Sequence, residues 1–97
     1  MTRAVSTSGD LAAGLSADEV LAVVADVLAV VCGVDLATLS AQTELAAVGA
    51  DSLARVELAE QLEERLTAYL PALHIPDDDL GAFRTVGEVR DYLMPRL

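Results

Sequence analysis

The sequence predicts an all-α domain: a four-helix bundle with three longer helices, one short helix and a long first loop. Three observations carry this expectation. Two Ser/Thr-x-x-Glu capping boxes, Ser16 to Glu19 and Thr85 to Glu88, each open an apolar stretch. A further helix start at Asp51-Ser52 precedes a segment in which leucines recur at helical spacing as far as Leu66. Hydrophobic residues make up 54% of the chain, mostly Ala, Val and Leu, with two Tyr, one Phe and no Trp. That composition fills a helical core and argues against disorder despite the charge.

Residues 1–15 mix Ser, Thr, Gly and Ala without a sustained period and read as a flexible N-terminal tail, leaving 16–97 as the folded domain. The first helix opens at Ser16 and runs through the apolar stretch Val20 to Val31 to a stop at Gly33. Its valines also suit a strand, but the cap, the length and the stripe Leu21, Val24, Leu28, Val31 favour a helix. From Gly33 to Asp51 the chain lacks a clean period over a length that a small domain must tie down. Val34, Leu36, Leu39, Leu45 and Val48 are expected to pack inward, with a short helical turn near Asp35 or Glu44.

The second helix spans Ser52 to about Leu66. Gly49 permits the turn before it, Asp51 or Ser52 caps it, and Pro71 bars continuation much beyond Leu70. A short third helix is expected around Pro76 to Phe83, where Asp77, Asp78 and Asp79 complement the positive end of the helix dipole. The fourth opens at Thr85, with Val86, Val89 and Leu93 on one stripe and Pro95 as its stop.

Sixteen acidic against 6 basic side chains give a formal charge of −10, which opposes nucleic acid and anionic membranes and favours basic protein surfaces as partners. The single cysteine, Cys32, has no internal partner, and the N-terminus lacks the apolar run of a signal peptide, so a cytoplasmic location is expected. The apolar segment Val20 to Val34 is interrupted by Asp26 and shorter than the about twenty residues of a membrane span. Because the chain begins with Met and ends soon after its last periodic segment, it reads as a free-standing protein, with an excised domain carrying an added Met as the alternative; a monomer is expected.

Catalytic chemistry finds little to use. The only histidine, His74, has no evident orienting partner, and Gly49-Ala50-Asp51-Ser52-Leu53 is not the Gly-x-Ser-x-Gly nucleophile elbow. Asp77 to Asp79 lack the spaced ligands of a calcium loop, so no metal is expected. Cys32 reads as a small buried hydrophobe, and Tyr69 and Tyr92 as the edge of the core.

At about 100° per residue, Leu58, Ala59, Leu62 and Leu66 fall on one side of the second helix, and Leu53, Val56, Glu57, Glu60, Glu63 and Glu64 on the other. By itself the second face is a solvated charged surface. With a positioned serine at its head it reads as a docking face, in which the apolar pair offers dry contact and the carboxylates select a basic rim. Arg55 points near the core side and is expected to thread its stem past the first turn toward the long loop, its head in water.

The string Gly49-Ala50-Asp51-Ser52-Leu53, followed by an acidic amphipathic helix, resembles the attachment site of acyl and peptidyl carrier proteins. Ile75 to Leu80 and Thr85 to Val89 are similar to that family's third and fourth helices, so the resemblance covers about Ser16 to Leu93. It implies a bundle of acyl-carrier-protein type and a carrier rather than an enzyme. It further implies 4'-phosphopantetheine attached covalently to Ser52 by a phosphopantetheinyl transferase, the arm's thiol holding acyl groups as thioesters. Asp51 would serve transferase recognition, and Leu53, Val56, Glu57, Glu60, Glu63 and Glu64 the recognition helix.

Expected partners are an acyltransferase or other acyl-loading enzyme, and a ketosynthase or tailoring enzymes with basic docking surfaces. The aspartate before the serine and the acidity lean toward polyketide or fatty-acid synthesis. The alternatives are a peptidyl or aryl carrier of nonribosomal peptide synthesis, or an unmodified acidic helical adaptor. One departure is the segment 67–74, longer than the usual family pattern, beside the region where an acyl-chain pocket would lie.

Overall fold

In the computed structural model, which describes residues 15–97, the first helix, α1 (Ala17–Cys32), begins at the cap read from the sequence. Ser16 Oγ accepts from the Glu19 amide at 3.1 Å, and Glu19 Oε1 accepts from the Ser16 amide at 2.8 Å, so both arms of the box are formed. Gly33, at φ 67°, ends the helix in the left-handed region and turns the chain away. The tail expected over 1–15 falls outside the described residues except for Leu15, which packs against the core.

Three further helices follow: α2 (Ser52–Arg65), α3 (Asp77–Ala82) and α4 (Val86–Leu93). Among the described residues there is no strand, only an isolated bridge between Glu44 and Thr85. No helix of the described residues is long and apolar enough to cross a membrane. α1 packs against both α2 and α4, and α3 packs on α2.

This arrangement widens the buried face of α1 beyond the expected stripe, of which Val24 and Leu28 are fully buried. The buried face is Val20, Val24, Ala25, Val27 and Leu28, whereas Leu21 and Val31 of the expected stripe are only half-buried. The helix is apolar nearly all round, so its own period has no sharp inward direction; two neighbouring helices widen the face that is covered. In α2 and α4 the expected residues are the buried ones: Leu58, Ala59 and Leu62, with Leu66 just beyond, and Val86, Val89 and Leu93. An ion pair between Asp26 and Arg65, 3.6 Å apart and about half exposed on both sides, joins α1 to α2 and contributes little.

The long connection is tied down by its backbone as much as by its side chains. Arg84 O accepts from the Leu45 amide at 2.8 Å, Thr43 O from Val86 at 3.0 Å and Ala41 O from Gly87 at 2.9 Å. Leu45 is fully buried, and Leu39 and Val48 are half-buried against the core. Leu36, expected inside, is 47% exposed on a 3-10 turn, Leu36–Thr38, that Asp35 caps through the Ala37 amide. Gly87 suits this close approach: a Cβ there would sit 3.0 Å from Ala41 O, tighter than an ordinary contact, and the neighbour would have to give. The capping box at Thr85 is altered too, since Glu88 Oε1 accepts from the Arg84 amide at 2.8 Å, one residue before the cap.

Beyond α2, Leu66 and Ile75 anchor the 67–74 segment at both ends, and the Glu63 carboxylate accepts from the Ile75 amide at 3.1 Å. Tyr69 lies in this segment and is 43% exposed, so it does not finish the core. Tyr92 does, edge-on to Phe83 at 5.3 Å, with Arg96 stacked over its outer face at 3.7 Å.

Candidate functional site

The serine at the head of α2 is presented by a hooked turn. Buried Leu45 and Ala50 hold its two ends, joined by the Ala50 amide donating to Leu45 O at 3.0 Å. Between them a 3-10 turn, Ala46–Val48, closes on Gly49 at φ 81°, a left-handed angle that a side chain would strain. Asp51 then caps the helix: its Oδ1 accepts from the Ala54 amide at 2.9 Å. Of the two caps the sequence allows, the structure uses Asp51. Ser52 is the first helical residue, exposed and relieved of the capping bond.

The outward face of α2 carries Leu53 at 70% and Val56 at 39% exposure, with Glu57, Glu60 and Glu64 also exposed. Glu63 is only half-buried and is turned to the far end, where it holds Ile75 and lies 3.8 Å from His74 Nδ1. His74 itself is exposed, and the Glu63 carboxylate beside it belongs to a residue eleven positions on from Ser52, about 16 Å along the helix. No base is therefore aimed at the serine from that quarter.

Arg55 meets half of its expectation. It does reach the long loop, where Nε donates to Ala50 O at 3.1 Å, but its head is half-buried rather than in water, Nη1 donating to Leu80 O and Phe83 O, each at 2.7 Å. The carbonyls at the end of α3 lack helical donors, and a cation satisfies them better than water at a partly buried site. No local pattern in the sequence announces this, because its acceptors lie 25 and 28 residues away. Between α2 and α3 runs a depression of about 240 Å³ lined by Ser52, Arg55, Val56, Asp77, Leu80 and Gly81.

Burial pushes the Cys32 thiol above its ordinary range, and the negative charge of Asp51 acts in the same direction. A thiol so shifted is a poor nucleophile near neutral pH. Among the described residues, no three His, Cys, Asp or Glu side chains converge on a metal position.

Residues 19–93 match the family model described as phosphopantetheine attachment site. The chain is 48% identical over 46 residues to an acyl carrier protein of Clostridium perfringens, covering 47% of this chain and 54% of that relative. It is 31% identical over 77 residues to the meromycolate extension acyl carrier protein of Mycobacterium leprae, covering 78% of this chain and 63% of the relative. The same degree of similarity extends to the meromycolate extension acyl carrier protein of Mycobacterium tuberculosis. The chain thus spans little more than half the length of the clostridial relative. It belongs to the phosphopantetheine-attachment family of acyl carrier proteins, which are carriers and not catalysts and bear 4'-phosphopantetheine covalently on a serine.

The head of α2 fits such a group. Its hydroxyl is exposed, and the amides of Ser52 and Leu53 have no acceptor within the helix, so this helix start would favour a negatively charged group on that side chain.

Proposed function

We propose that Ser52 is the attachment residue and that the chain serves as an acyl carrier for fatty-acid or polyketide synthesis. The observation that carries this reading is the division of labour at the head of α2: Asp51 makes the cap, which leaves the Ser52 hydroxyl exposed and uncommitted within the region matched by the family. When bound, the arm supplies a thiol that holds acyl groups as thioesters. The names of the relatives favour acyl over peptidyl cargo, and one named for meromycolate extension favours the fatty-acid side.

The chain's own residues then have separable tasks. The first turn of α2 stabilises the negative phosphodiester through its amides and dipole. Leu53 and Val56 give a phosphopantetheinyl transferase, an acyl-loading enzyme or a ketosynthase a dry contact, while Glu57, Glu60 and Glu64 select a basic rim. Asp51 keeps the serine at the helix start, and activation of its Oγ is left to the partner. So small a face suits repeated association and release.

Incubation with coenzyme A and a broad-specificity phosphopantetheinyl transferase tests the assignment by intact mass. One phosphopantetheine should be added to the wild-type chain and none to Ser52→Ala. Full modification of Ser52→Ala would overturn it.

A further inference from the structure

The side chain that holds α3 beside the serine is itself part of α2. Arg55 reaches Ala50 O in the hook ahead of Ser52, and Leu80 O and Phe83 O at the end of α3, with one guanidinium. None of the described carboxylates pairs with it within 4.0 Å, so these carbonyls carry its directional bonding. α3 needs such a hold. It has six residues, no side-chain cap at Pro76, and a glycine at position 81, and a helix that short does not persist without tertiary contacts.

We propose that Arg55 is a positioning residue that locks α3 to the head of α2, so that a partner approaching Ser52 meets both helices as one rigid surface. The depression beside the serine has Ser52, Arg55 and Val56 on one wall and Asp77, Leu80 and Gly81 on the other, so one approach to the exposed hydroxyl runs along α3. Arg55 sets the distance between those walls. Hydrogen bonds from a charged donor are among the stronger ones, and three to carbonyls on two separate elements give the coupling its direction. The effect on modification rests on Ser52 being the attachment residue; the effect on α3 does not.

Arg55→Met keeps the apolar stem and removes every donor, and Arg55→Lys keeps the charge without the planar fork. Amide hydrogen exchange in α3 should quicken by about tenfold or more in Arg55→Met while α1 and α4 keep their protection, with Arg55→Lys intermediate. In the transferase assay the KM for the carrier should rise about tenfold with kcat unchanged, and Arg55→Lys should recover part of it. Exchange that rises equally in α1, α3 and α4, or an unchanged KM beside a loosened α3, overturns the role. So does loss of the fold in both variants, because Arg55 would then support the whole core. A wild-type chain that gains no phosphopantetheine would instead sink the Ser52 assignment, and the exchange comparison would still decide whether Arg55 holds α3.

Discussion

In α1 the buried residues Val20, Val24, Val27 and Leu28 are flanked by Leu21, Val23 and Val31, which are themselves half covered. In α2 only Leu58, Ala59 and Leu62 are buried, and the opposite side carries Leu53, Val56, Glu57, Glu60 and Glu64 in the open. α1 is packed from two directions, by α2 and α4, so most of its surface is spent on the core. α2 also meets two helices, α1 and α3, yet the face that carries Leu53, Val56, Glu57, Glu60 and Glu64, headed by the serine, stays exposed. α1 carries more of the buried apolar side chains than α2, which leaves α2 free to keep that face in the open.

The largest effect expected from this contrast is on stability. Leu62→Ala should cost about 2 to 5 kcal/mol in chemical denaturation, whereas Val56→Ala on the other face should stay within about 0.5 kcal/mol. Equal losses at the two positions would mean that α2 has no free face. Next in size is the charge of that face. Replacing Glu57 and Glu60 together by Lys should slow association with a basic partner by about tenfold at low salt, with the difference shrinking as ionic strength rises and the fold unaffected. Stopped-flow association at two salt concentrations measures this, and rates indifferent to both changes would remove electrostatic selection.

The smallest contrast sharpens the head of the helix. Asp51→Ala should lose about 1 kcal/mol with the cap, and Ser52→Ala almost nothing, because Ser52 makes no capping bond. Paired thermal melts would expose a shared cap if the two losses matched.

Much of this was legible locally. The Ser16 box, the stop at Gly33, the start at Thr85 and the buried side of α2 follow from bonds within four residues or from a single clear period. The breadth of the buried face of α1 was not, because Val20, Ala25 and Val27 beside the expected stripe are covered only once two neighbouring helices are present. Leu36 and Tyr69 were misread for a related reason: an apolar residue in a connection can be buried only if the backbone brings it over the core, and here the 3-10 turn and the 67–74 segment do not.

By itself the sequence determined the helical class, the Ser16 box, the acidic face and the serine at the head of α2, since each depends on side chains close together along the chain. Tertiary structure alone decided three contacts: Glu63 turning from the acidic face to hold Ile75, Gly87 meeting Ala41, and Arg55 joining Ala50 to Leu80 and Phe83. In each of them a side chain or amide satisfies backbone far away in sequence, and that pairing exists only once the helices have packed.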